Sequence, residues 1–238
     1  MIQACLNGDR TKRQNPAVPV TVAELSAEAV AACAAGASAL HLHPRGGDGA
    51  ETLAPELVAA CLAAVRAAVP GVPVGVGTSV GIAPGGAARL RHIAAWETLP
   101  DYASVNLNEP DAPENMALMR QKGIGIEAGI WTLGDAERFV ALPHRDECLR
   151  ILIEVISPDP DAARAEYHAI TGVLDGAGVT RPRLLHGLDG SAWAMIAEAG
   201  RDGLDTRIGL EDALLMPDGT PAPGNAAMVT AARALYRA

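Results

Sequence analysis

Short apolar runs alternate with longer Ala-rich segments of helical period along the whole chain, punctuated by clusters of Gly, Pro and Asp. Strands are expected at Gln3 to Leu6, Ala39 to His43, Val72 to Gly77, Tyr102 to Val105, Gly125 to Ala128, Leu149 to Ile156, Arg183 to His186 and Thr206 to Gly209. Helices are expected between them, at about Thr21 to Ala35, Ala54 to Ala68, Pro84 to Trp96, Asn115 to Lys122, Leu133 to Leu142, Asp159 to Leu174, Ser191 to Arg201 and Asn225 to Arg237. The first helix carries clear punctuation, with Thr21 and Glu24 forming a T-x-x-E capping box and Gly36 supplying the stop. Strand–helix units without an internal linker have the cadence of a TIM (β/α)8 barrel, and such barrels typically run to about 250 residues. A doubly wound open sheet competes on periodicity alone. The expectation is one α/β barrel domain over residues 1–238.

Composition narrows the partners. With 19 Lys+Arg against 28 Asp+Glu the formal net charge is −9, which disfavours a nucleic acid backbone or an anionic membrane as the main partner. Only Arg10, Lys12 and Arg13 form a local basic cluster. No apolar run approaches the ~20 residues that cross a bilayer, and MIQACLNGDR lacks the charged leader and cleavage site of a signal peptide, so a cytoplasmic location is expected. Cys5, Cys33, Cys61 and Cys148 show no C-x-x-C spacing and read as free, mostly buried thiols.

In a barrel, chemistry belongs at the C-terminal ends of the strands. The second strand ends in His41-Leu42-His43. Residues two apart on a strand share a face, so both imidazoles can grip one divalent ion, zinc above all. The alternative is a pair of hydrogen-bonded, half-buried histidines. The eighth strand ends in Glu211-Asp212, and a Gly/Pro-rich stretch, Met216 to Gly224, delays the helix that follows. Strands two and eight both neighbour strand one in a closed barrel, about 10 Å apart, so a carboxylate from one and histidines from the other can share an ion. Polar residues follow most other strands too, including Asp9, Thr78, Ser79, Asn106, Asn108, Glu109, Glu127 and His186. The glycines at 75, 77 and 81 do not make a dinucleotide-binding G-x-G-x-x-G. His92, His144 and His168 fall in helices or connections and are expected to face solvent.

The segments ACLNGDRT, ALHLHPR, VGVGTSVG, SVNLNEP, GIEAGIWT and TRIGLED resemble those of the β-keto acid cleavage enzymes, in register with strands one to five and eight. The resemblance implies a TIM barrel holding one Zn2+ on His41, His43 and Glu211. It also implies Arg207 and Asp212 as the residues serving the chemistry, and places the family's acidic residue of the first loop on Asp9 and its strand-five glutamate on Glu127. Asp9, Thr78, Ser79, Asn106, Asn108 and Glu127 are the expected substrate-binding residues. The implied reaction converts a β-keto acid and acetyl-CoA into acetoacetate and a new acyl-CoA by Claisen and retro-Claisen chemistry. A metal-dependent aldolase or acyl-CoA lyase on the same barrel is the alternative enzyme, and a catalytically silent metal- or ligand-binding barrel is a second alternative. The family resemblance also implies a homo-oligomer, a tetramer, with Trp193, Met195 and Ile196 as either interface or core residues. Two departures stand out: Gly77 replaces a serine before Thr78, and the glycine-rich loop after strand six is absent, with Ile156-Ser157-Pro158-Asp159 leading directly into a helix.

Overall fold

The computed structural model describes residues 1–237. Eight parallel strands close into a barrel in chain order: β1 (Ile2–Cys5), β2 (Ala39–Leu42), β3 (Val74–Gly77), β4 (Tyr102–Asn106), β5 (Gly125–Ile130), β6 (Arg150–Val155), β7 (Arg183–Gly187) and β8 (Asp205–Ile208). The helices α1 (Val22–Ala35), α2 (Pro55–Ala68), α3 (Gly86–Ala94), α4 (Ala112–Lys122), α5 (Leu133–Val140), α6 (Pro160–Gly176), α7 (Ala192–Asp202) and α8 (Asn225–Tyr236) follow the strands in turn. It is a TIM barrel. Closure comes from β1 pairing with both β2 and β8, Cys5 opposite His41 and Gln3 opposite Arg207.

The period of two sorts each strand between two environments. Leu40, Leu42, Val74, Val76, Ile151, Ile153 and Val155 join the buried apolar layer under the helices. The alternate residues carry polarity into the barrel interior: Gln3 donates to the Tyr102 hydroxyl and to Glu127, both at 2.9 Å, and Arg150 Nε donates to Glu127 at 2.7 Å. Each of these buried residues finds a partner for one polar atom, while Glu127 Oε2 and Arg150 Nη2 stay unpartnered. Gly75 makes room for this floor, since a Cβ there would lie 1.9 Å from the Tyr102 ring.

The capping box of α1 is present, with Thr21 Oγ1 accepting from the Glu24 amide at 3.2 Å and Glu24 accepting from the Thr21 amide at 2.9 Å. α4 begins three residues earlier than the apolar period suggests because Pro113 suits a first turn, and α3 is shorter than expected at both ends. Met195 and Ile196 are fully buried under α7 and so belong to the core, which removes them as interface residues; Trp193 is only half-buried. Cys5, Cys61 and Cys148 are buried free thiols and Cys33 is half-buried. His144 and His168 face solvent, whereas His92 is partly covered. No helix among the described residues is long and apolar enough to cross a membrane.

Candidate active site

His41 and His43 leave the end of β2 on the same side and meet Glu211, which follows β8. The two imidazole Nε2 atoms lie 3.0 Å apart, and Glu211 Oε1 is 3.7 Å from that of His41 and 3.8 Å from that of His43. One ligand atom from each residue falls within 4.8 Å of the others. Asn7 fixes the backbone at this point, accepting from the His43 amide at 2.9 Å and donating to its carbonyl at 2.8 Å. Glu51 hydrogen-bonds His43 Nδ1, which aims Nε2 inward, and Glu127 Oε2 stands 4.0 Å from His41 Nδ1. Carboxylates behind imidazoles are the usual means of orienting metal-binding histidines. Gly77 completes the cradle, because a Cβ there would sit 2.1 Å from His43 Nε2.

The donor set fits a zinc ion. Two nitrogens and a carboxylate oxygen converge, and Glu211 Oε2 is buried without a hydrogen-bond partner. Burial pushes His41 down to about 4, so its ring is neutral at pH 7 and keeps a lone pair for a metal. Burial opposes ionisation of Glu211, but His41, Arg207 and His43 overcome it and hold the carboxyl well below its ordinary range.

Beside this cluster, Arg207 Nε and Nη2 donate to Asp212 Oδ1 at 3.0 and 2.7 Å, and Nη2 reaches Glu211 Oε1 at 3.0 Å. One guanidinium therefore ties Glu211 of the candidate metal site to a second, fully buried carboxylate whose Oδ2 has no partner. The arrangement opens into a cleft of about 450 Å³ whose walls include His41, His43, Glu211 and Arg207, a volume that suits a small substrate.

The whole chain, residues 1–238, matches the sequence profile of the family described as beta-keto acid cleavage enzyme. The chain belongs to that family. The 3-oxoadipate:acetyl-CoA acetyltransferase of Cupriavidus necator is 30% identical over 253 aligned positions, covering 94% of this chain and 83% of that enzyme. The 3-keto-5-aminohexanoate cleavage enzyme of Fusobacterium nucleatum is 36% identical over 103 residues, 43% of this chain and only 37% of that enzyme. Among solved structures, the ternary complex of ObcA with a C4-CoA adduct and oxalate superposes with a TM-score of 0.74 at 18% identity, covering 92% of this chain and 63% of that one. The last likeness shows the fold.

This β-keto acid cleavage family member gathers some of the sequence-expected residues and leaves others aside. Asp9, Ser79 and Asn106 line the cleft together with His41, His43 and Glu211. Thr78 is buried, donating its hydroxyl to the Ser104 carbonyl at 2.5 Å and accepting from Asn115 at 3.0 Å, and Asn108 is exposed away from the cleft. Glu127 lies in the barrel floor, engaged by Gln3 and Arg150. Arg10 and Trp131, which fall within the ACLNGDRT and GIEAGIWT segments, also line the cleft, as do Glu51 and Glu154, which no sequence motif singles out. The short connection after β6 is as the sequence reads: three residues separate Val155 from the Asp159 N-cap of α6.

Proposed function

We propose that this protein is a zinc-dependent β-keto acid cleavage enzyme that exchanges acyl groups between a β-keto acid and acetyl-CoA, giving acetoacetate and a new acyl-CoA. The observation that carries the reading is the convergence of His41, His43 and Glu211 at one cleft beside Arg207, which lines the same cleft and holds Asp212 behind it. His41, His43 and Glu211 would hold the ion, whose contribution when bound is Lewis-acid polarisation of a substrate carbonyl. Arg207 holds and directs Asp212 by two hydrogen bonds, which equips that carboxylate to take the proton from C2 of the keto acid. Ser79 and Asn106 offer hydrogen bonds to the substrate carboxylate, and Asp9 stands at the entrance.

The missing β6 loop leaves the thioester another path. A groove of about 840 Å³ adjoins the cleft, sharing Arg10, Gln14 and Asp189 with it, and is lined by Trp193, Leu214, Leu215 and Met216. Its apolar wall suits the pantetheine arm of CoA, and Arg10 at the junction with the cleft offers a positive charge. The reading is tested by incubating the protein with acetyl-CoA and a panel of β-keto acids and following acetoacetate and new acyl-CoA by mass spectrometry. Reaction of an aldol substrate without any need for acetyl-CoA would instead favour a metal-dependent aldolase. We also infer a homo-oligomer from the family resemblance; light scattering that returns the monomer mass at micromolar concentration would reject it.

A further inference from the structure

One buried acid–imidazole pair stands apart from the metal ligands. Glu154 on β6 and His186 on β7 are register partners, so both side chains turn into the barrel. Glu154 lines the cleft, and His186 is fully buried. His186 Nε2 is 3.3 Å from Glu154 Oε2, and its Nδ1 is 3.3 Å from Asp212 Oδ1. Neither contact has the alignment of a formed hydrogen bond, and neither nitrogen has another partner. Catalytic contacts are often this loose before substrate arrives. Burial and the nearby Arg207 act to lower the basicity of His186, but Glu154 and Asp212 outweigh them and raise it. Glu154 therefore presents a carboxylate backed by an imidazole at the wall of the cleft, whereas Asp212 lies behind Arg207 with its Oδ2 unpartnered.

The acyl exchange must manage two different atoms. In the first transfer, C2 of the keto acid loses a proton and bonds to the acetyl carbon while the C–S electron pair leaves on sulfur. In the second, sulfur bonds to the original keto carbon, and the C–C pair returns to C2, which regains a proton. Resting on the proposed acyl exchange, we propose that Glu154, positioned by His186, is a second acid–base residue that serves the sulfur. It gives a proton to the departing thiolate and takes it back when the thiol attacks. The C2 proton is left to the Arg207–Asp212 pair, and no electrons are transferred beyond these bond changes.

The two duties separate in one experiment, in which zinc-loaded protein is assayed in D2O for deuterium entry at C2 of the keto acid and, with acetyl-CoA added, for acyl-CoA formation. Glu154→Gln keeps deuterium exchange and zinc content while acyl-CoA formation falls by about 10²- to 10⁴-fold in kcat with little change in KM. Asp212→Asn loses both activities. His186→Gln follows Glu154→Gln in direction, and Glu154→Asp retains part of the acyl transfer; the latter supplies the same split should Glu154→Gln not fold. Wild-type acyl transfer in Glu154→Gln, or loss of exchange and acyl transfer together, overturns the assignment. A wild-type protein that forms no acyl-CoA from any keto acid would instead remove the acyl-exchange reading and this assignment with it.

Discussion

Two buried arginines in this barrel each clasp two acids, and they teach opposite lessons. Arg89 on α3 donates to Glu109 at 2.7 Å and Asp111 at 2.6 Å, and hydrogen-bonds the Thr78 carbonyl. Glu109 spends its other oxygen on the Val80 amide at 2.9 Å and on Asn106 at 3.1 Å. Arg207 clasps Glu211 and Asp212 in much the same way, but the second oxygens of both carboxylates are buried and without partners. Unmet hydrogen-bonding capacity in a dry interior is costly; at the Arg89 cluster it is the single Nε of the arginine, whereas here it is two carboxylate oxygens with both His186 nitrogens beside them, which marks a place suited to binding or reaction. The Arg89 cluster holds loops together; the Arg207 cluster is left open for chemistry.

The difference can be broken from either side. The largest expected effect is Asp212→Asn, which should reduce kcat by roughly 10²- to 10⁴-fold while leaving zinc content and melting temperature near wild type, checked by steady-state kinetics with elemental analysis. Arg89→Ala should do the reverse, lowering stability by about 3–5 kcal/mol because the buried Glu109 and the half-buried Asp111 lose their cation, with activity per folded molecule retained; urea unfolding followed by active-site titration measures both. If Arg89→Ala abolished turnover in folded protein, the contrast would fail. Next comes His43→Ala or Glu211→Gln, either of which should lose the metal and activity together while the barrel stays folded, since its apolar layer does not depend on the ion.

The smallest effect calibrates the comparison with an exposed acid. Glu24 is drawn down to about 2, first by its hydrogen bond to Lys12 and then by the Thr21 and Val20 amides. Because the folded value is depressed, its stabilisation is present above the ordinary carboxylate range and is lost as pH falls from about 4.5 toward 2. Solvent screening limits the effect, so Glu24→Gln should cost no more than about 1 kcal/mol at pH 7 and nothing at pH 2. A pH-independent difference between the two proteins in thermal melts would contradict the assignment.

Much of this was legible in the chain itself, for identifiable reasons. The strands could be placed because each apolar run is bounded by Gly, Pro or Asp, and His41 and His43 stood out because a period of two puts them on one face. Glu211 was legible once closure of the barrel set β8 beside β1. Thr78 looked like a cleft residue by position, but its hydroxyl is consumed by Ser104 and Asn115, partners distant in sequence. Glu154 and His186 pair only through the β6–β7 register, and Glu51 reaches His43 from a loop with no motif. Met195 and Ile196 could not be sorted between core and surface until the direction in which α7 packs was known.

The central claim is that a zinc ion on His41, His43 and Glu211 makes this cleft an acyl-exchange site. The most direct measurement is acyl-CoA formation from acetyl-CoA and a β-keto acid before chelation, after chelation, and after zinc is restored, with metal content followed in parallel. The account predicts about one zinc per chain, loss of product when it is stripped, and recovery when it is returned. Undiminished acyl-CoA formation by metal-free protein would contradict it.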